Sequence, residues 1–391
     1  MYDWPAVDET SLQHTRGERA RALIHSLQLD HLLLTSFDNI RYLTGYRTLI
    51  IAEAFDWFAA IVGQQGDFEM FVPWVDEVAK EPDPDLPGLL AVHPLPSWTP
   101  AIPHVSYWVE ALRGVLAERR ARRVGYEMLY AELLGPLIEA LPEVEFVPVT
   151  TALHDLRMRK DELELRLLES ASKVNSMAAD AALKSAEAGM TDYDVLSVAM
   201  ASLQAAGVEY LSHSLCNLRR GSGTWFAVGN ELREGDSFFF DIGCYGPGGY
   251  ASDMARTGFV GQPPANVLNV YRQLLAVHRA GEAFARPGVR ASSVHETINA
   301  RLRDQGLPHT PYSVGHGVGL RACELPTIYR ADRMGRDQIL QEGMVISLEP
   351  ETGVEVDGRL IILKVEDNYV VEEGGLRRLT DADYTAFDAQ T

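Results

Sequence analysis

Along the first 150 residues, short apolar runs alternate with stretches whose apolar positions recur at helical spacing. The pattern predicts a helix over residues 10–27 and a strand through HLLLTS, residues 31–36. Strands are also expected at 57–62 and 68–71, before the Pro-rich EPDPDLPG interrupts the pattern. A helix over 105–119, a strand at 124–127, a helix over 130–141 and a strand at 144–149 complete an α/β unit. From Lys160 the texture changes, and DELELRLLESASKVNSMAADAALKSAEA reads as one long helix to about residue 188. Thr191 and Asp192 look like caps for a second helix through Ala206, and LNVYRQLLAVHRAGEAFA and SSVHETINARLRDQG predict two more. Strands are expected at 237–243, 250–260, 345–351 and 360–371. The reading is therefore an N-terminal α/β domain, 1–157, and a C-terminal α+β domain, 158–391. In the second, helix, helix and hairpin occur twice, as two related halves on one antiparallel sheet would require.

Composition narrows the function classes. With 46% hydrophobic and 23% charged residues, the chain is neither disordered nor fibrous. Its 55 acidic residues against 35 basic ones give a formal charge of -20, which repels a phosphate backbone and an anionic membrane alike, so neither is expected as a partner. Three cysteines without a CxxC signal neither a disulfide framework nor a zinc-thiolate site, and a reducing cytoplasm is expected. No apolar run approaches 18 residues, and the first residues carry no basic stretch followed by an apolar run, so neither membrane span nor signal peptide is expected.

The candidate chemistry lies in acidic residues on predicted strands. SFFFDIG places Asp241 after three phenylalanines, and YASDMART places Asp253 twelve residues later, across the turn CYGPGG. Two carboxylates close together in an apolar setting need a proton or a cation between them. MVISLEPETG and LIILKVED repeat the arrangement with Glu349 and Glu366, and SVGHGVGL offers His316 between glycines. Singly, each has an ordinary structural reading, as a strand-end or surface acid or a loop histidine. Jointly, four carboxylates and an imidazole suit an oxygen-rich site for manganese, iron, cobalt or zinc, with room for two ions about 3.5 to 4 Å apart.

The run 238–257, GHGVGL with ELP after it, EGMVISLEP and KVED resemble the pita-bread superfamily of aminopeptidase P, prolidase, methionine aminopeptidase and creatinase. LRMRKDELELRLLESA and NIRYLTGY extend the resemblance over nearly the whole chain. It implies a creatinase-like N-terminal domain, a pita-bread C-terminal domain with a pseudo-two-fold antiparallel sheet, and a homodimer. It also implies five metal ligands, Asp241, Asp253, His316, Glu349 and Glu366, with Asp253 and Glu366 bridging two divalent ions, manganese first among them. A metal-activated hydroxide would then cleave a small amide or Xaa-Pro dipeptide, with Glu349 moving the proton.

The chain departs from that pattern at the histidines the resemblance leads one to expect beside the metals. Tyr312 stands four before His316, Cys323 seven after it, and GTWFAVGNELREGD contains none. Tyr312 is the expected oxyanion donor and Cys323 the expected thiol donor or base, each with simple packing as the alternative. His213 is expected near the pocket mouth as a substitute imidazole, or as an ordinary loop histidine. Arg219 and Arg220 are expected to hold a substrate carboxylate, or to form a solvated turn, and Trp225 to form an apolar wall, or simply to pack. Two alternatives to hydrolysis stand beside this: a metal-dependent lyase on a small metabolite, similar to the dimethylsulfoniopropionate lyase of this fold, and a non-catalytic binding module.

Overall fold

The computed structural model describes residues 1–47, 58–73, 86–96, 105–129, 131–217 and 226–384. Contacts divide the chain into two units, Asp8–Leu156 and Met1–Val7 with Arg157–Thr391. The first seven residues, expected with the N-terminal domain, thus belong to the second unit. There Trp4 Nε1 donates to Ala206 O at 2.8 Å, which anchors this short leader on the end of a helix.

The smaller unit is an α/β layer. Strands β1 (His31–Leu34), β2 (Ala59–Gly63), β3 (Phe68–Pro73), β4 (Leu89–Leu95), β5 (Arg123–Tyr126) and β6 (Glu145–Pro148) form one sheet in the order β4-β3-β2-β1-β5-β6. Helices α1 (Glu9–Ser26), α2 (Phe37–Thr44), α3 (Val105–Glu118) and α4 (Ala131–Ala140) accompany it. β4 was not anticipated: it follows the Pro-rich stretch, and its alternation is blunted because most of its residues are only half-buried. The apolar stripes of α3 and α4, with Trp108, Leu112, Leu116, Leu133 and Leu137, close over Leu33, Ile61, Phe71 and Val124.

The larger unit begins in α5 (Thr150–Met158) and continues with α6 (Glu162–Ser185) and α7 (Asp192–Ala206). Both longer helices start with a reciprocal capping box, Asp161 with Glu164 and Thr191 with Asp194, and α7 ends at the left-handed Gly207. Small residues on α6, Ala178, Ala179 and Ala182, let it lie close to Phe238, Phe240, Ile242 and Met254 of the sheet below. That sheet joins β7 (Tyr210–Asn217), β8 (Ser237–Tyr245) and β9 (Ala251–Phe259). Helices α8 (Ala265–Phe284) and α9 (Ala291–Asp304) pack a second cluster, including Leu274, Val277, Ile298 and Leu302, against Ile346, Leu348 and Tyr369.

The two strands expected over 345–351 and 360–371 each break in two, giving β12 (Val345–Leu348), β13 (Glu351–Val356), β14 (Arg359–Lys364) and β15 (Asp367–Glu372). Pro350 has no N–H to give a ladder, so pairing stops beside it. β12 pairs with β15, and β13 pairs with β14 as a separate two-stranded ribbon. β12 and β15 belong to a five-stranded sheet with β10 (His316–Gly317), β11 (Glu324–Thr327) and β16 (Gly375–Arg378). The single sheet expected for the two halves is therefore three separate hydrogen-bonded sheets among the described residues. Glu349 and Glu366, expected on strands, sit at the two breaks instead, where the backbone turns and the side chains are no longer held to alternate faces.

Candidate functional site

The site is assembled from the β8–β9 hairpin upward. The register sets Gly243 opposite Asp253 and Asp241 opposite Ala255, so the two aspartates are diagonal neighbours on one face, not a directly opposed pair. β7 then brings His213 alongside: it pairs with Gly243, just after a register shift between Leu211 and His213 that re-aims the side chain. A Cβ on Gly243 would come within 2.6 Å of His213 Cε1, so only glycine leaves room for this imidazole. His213 Nε2 lies 2.9 Å from Asp241 Oδ1 and 3.0 Å from Asp253 Oδ1, and its Nδ1 lies 3.0 Å from Ser212 Oγ. The expectation of a loop histidine at the pocket mouth is corrected by this placement: His213 is a strand residue at the carboxylates.

The other half comes from the breaks in the second pair of ladders. Asn368 accepts from Asp253 N at 3.0 Å and donates to Asp253 O at 2.7 Å, while Glu366 N donates to Ala255 O at 3.0 Å. Buried Arg256 donates to Glu366 O and to Asp367 Oδ1, each at 2.7 Å. These bonds carry Glu366 to the aspartates. His316 is admitted by close backbone approach: a Cβ at Gly315 would fall 2.1 Å from Ser347 O, and one at Gly317 2.0 Å from Leu325 O. Its Nδ1 lies 3.1 Å from Gly317 O, and its Nε2 is 3.7, 3.6 and 3.8 Å from oxygens of Asp253, Glu349 and Glu366. Glu349 is held through its N–H, which donates to Val314 O at 2.8 Å. The structure thus brings Asp241, Asp253, His316, Glu349 and Glu366 into one buried cluster.

A residue that sequence reasoning missed lies at its centre. Lys364 Nζ donates to Asp241 Oδ2 at 2.7 Å and to Glu349 Oε2 at 2.8 Å, and stands 3.7 Å from Glu366 Oε2. Its signal was present, a lone lysine inside LIILKV, where burial demands a partner. Burial would raise the Asp241 carboxyl, but Lys364 and His213 outweigh it and hold the group below its ordinary range. Burial and Asp253 push Glu366 well above its own. The two aspartates overcome the burial of His213 and lift its imidazole to about 11. The cluster thus holds more negative than positive charge, and it stores part of the difference as a raised carboxyl.

The donor set fits a divalent cation. Two triads have ligand atoms within 4.8 Å of one another, His213 with Asp241 and Asp253, and Asp253 with His316 and Glu366. Asp253 is common to both, and its Oδ1 is buried without a hydrogen bond of good geometry. Carboxylate oxygens with an imidazole nitrogen are the donors that borderline divalent ions take.

The remaining sequence candidates fare differently. The Tyr312 hydroxyl donates to Glu351 Oε2, and burial with Glu351 and Glu349 nearby pushes the phenol up. A hydroxyl has one proton, and here it is given to Glu351, so Tyr312 is not placed as an oxyanion donor. Glu351, which the sequence reading passed over, faces Lys364 across the β13–β14 ribbon. Desolvation of the sulfur and the charges of Asp253, Glu349 and Glu366 push the Cys323 thiol up to about 12, the opposite of what a thiolate base needs. Arg219, Arg220 and Trp225 lie outside the described residues. Among the described residues, no helix is long and apolar enough to cross a membrane.

Comparison with known proteins places the chain in a family. Residues 166–373 match metallopeptidase family M24, and residues 16–159 match the Creatinase/Prolidase N-terminal domain. The uncharacterized peptidase YqhT of Bacillus subtilis is 24% identical over 93% of this chain and 97% of its own length. The probable dipeptidase PepE of Mycobacterium tuberculosis is 34% identical over 61% of this chain and 63% of PepE. The solved Xaa-Pro dipeptidase from Bacillus anthracis superposes with a TM-score of 0.79 at 20% identity, over 95% of this chain and 99% of that one, which shows a shared fold.

Proposed function

The chain belongs to metallopeptidase family M24 and is a metal-dependent hydrolase, and on that premise we propose that it cleaves a small amide, an Xaa-Pro dipeptide or a close analogue, at the Asp241–Glu366 cluster. The observation that carries this reading is the convergence of four carboxylates and His316 in one buried place, with Asp253 shared by two donor triads. In this proposal Asp241, Asp253, His316, Glu349 and Glu366 are the residues that would hold two divalent ions. Bound ions of this kind polarise a carbonyl and lower the pKa of water toward neutrality.

The chain's own part is to orient and to move a proton. Lys364 ties Glu349 to Asp241 and so fixes the direction of the Glu349 carboxylate. Glu349 takes the proton of the attacking water and returns it to the leaving nitrogen. Tyr312, whose proton goes to Glu351, offers the pocket its oxygen lone pairs and no proton of its own. The proposal further takes manganese as the ion, a homodimer as the assembly and the cytoplasm as the location.

The Tyr312–Glu351 pair favours a second reading. A phenol where an imidazole is expected, tied to a neighbouring acid, suits elimination from a small charged metabolite. One experiment separates the two: the manganese-loaded protein is given Xaa-Pro dipeptides, cyclic amides and small betaines in heavy-oxygen water. Hydrolysis places the label in a product, and elimination leaves it out. Replacing Asp253 by Ala should remove bound metal and turnover together. A protein that holds metal and turns over none of the amides refutes the hydrolytic reading.

A further inference from the structure

We infer that His213 is a metal ligand, a sixth member of the donor set beyond the five read from the sequence. The inference rests on the cluster being the metal centre proposed above. Four observations carry it. The register shift between Leu211 and His213 turns the side chain onto the face of β8 that bears Asp241. Gly243, opposite, is the one residue type that leaves room for the ring, since a Cβ there would lie 2.6 Å from Cε1 and 2.8 Å from Nδ1. Nε2 lies almost equally far from one oxygen of each aspartate, 2.9 and 3.0 Å, so the three atoms converge on one place that a cation can take in exchange for the Nε2 proton. Ser212 Oγ, 3.0 Å from Nδ1, can accept that nitrogen's proton and keep it there, so that the Nε2 lone pair is the one freed when a cation displaces the proton shared with the aspartates.

The consequence is a centre with one imidazole in each triad, His213 beside Asp241 and His316 beside Glu366, with Asp253 between them. It also changes what Glu349 must do. Glu349 Oε2 is taken by Lys364, so its ligating capacity is halved on the side where His213 adds a donor. A resident imidazole on β7 thus offsets part of the acidity of the cluster's β8 side, where a fully carboxylate set would stand.

The test reads metal binding without substrate. Protein with 15N-labelled histidine rings is loaded with Mn2+, and the nitrogens directly coupled to the ion are counted by pulsed electron paramagnetic resonance. Two coupled imidazoles are expected in the natural sequence and one in His213→Gln. In parallel, Co2+ titration should show at least one equivalent weakened by about 100-fold in His213→Gln and by about 10-fold in Ser212→Ala, which keeps the ring but loses its orientation. Free imidazole should restore the Co2+ absorption spectrum to His213→Gly, a rescue that a packing role would not allow. One coupled imidazole in the natural sequence, or unchanged Co2+ affinity and spectrum in His213→Gln, overturns the assignment. The natural-sequence count decides the matter even if a variant fails to fold. If two imidazoles are found but no amide is cleaved, the hydrolase reading fails and the ligand stands; if dipeptides are cleaved while His213→Gln binds metal normally, the ligand alone fails.

Discussion

Lys364 gives the sharpest test of how this cluster tolerates its own charge. Its side chain is 3% exposed, and its ammonium bonds Asp241 and Glu349 at 2.7 and 2.8 Å. Lys364→Met keeps roughly the same volume and removes the charge, leaving Glu349 without this donor and Asp241 with His213 alone. Removing one partner of a buried ion pair costs about 3 to 5 kcal/mol. Spread over a unit of about 240 residues, each kcal/mol lowers the melting temperature by about 2 to 4 °C, so the metal-free variant should melt about 6 to 20 °C below the natural protein. A divalent ion supplies the missing charge and, in the variant, no longer competes with an ammonium for Asp241 and Glu349. A saturating ion at about 100 times its Kd adds about 2.7 kcal/mol to any protein that binds it only when folded, and tighter binding adds more. The gap between variant and natural protein should therefore narrow on metal loading. The assay is urea unfolding of both proteins, stripped with chelator and then loaded with Mn2+. A deficit below about 1 kcal/mol without metal, or one that does not shrink with it, would refute the charge-compensation argument.

Three further outcomes follow from the same geometry. Tyr312→Phe takes away the only proton that Tyr312 gives to Glu351 and should cost about 1 to 3 kcal/mol of stability, while leaving metal affinity within about threefold; a large rise in metal Kd would mean that the tyrosine acts on the ions directly. Buried His278 is held down to about 4, chiefly by desolvation, so the unfolded chain binds its proton first as the pH falls. Stability is unaffected by this group above about pH 6.5 and is lost by about 3 kcal/mol as the pH falls to about 4; His278→Leu should flatten that slope in unfolding curves taken from pH 7 to 4.5, and an unchanged slope would discount the group. Gly243→Ala should raise metal Kd by about tenfold or more in a Co2+ titration, because the new methyl displaces the His213 ring; equal affinity would show that the ring has room to yield.

Local pattern carried much of the larger unit. The capping residues of α6 and α7 and the apolar stripes of α8 and α9 act within a few residues of themselves, so they are legible without tertiary information. The β8–β9 hairpin was legible for the same reason, since a Gly-rich turn between two apolar runs joins neighbours. The breaks at Glu349 and Glu366 were not, because apolar periodicity runs straight through them and only pairing with different partners ends the strands.

Taken alone, the sequence determined which groups could bind a cation: four acids and a histidine set where burial would otherwise reject charge, each recognisable by its own neighbours. Tertiary structure decided how those groups are balanced. Lys364 reaches Asp241 across 123 positions and His213 reaches it across 28, and neither distance leaves a trace in composition or spacing. Electrostatic energy depends on separation in space and on desolvation, and both exist only once the ladders are aligned. A charge's partner is therefore chosen by register and packing, while its need for one is already written in the chain.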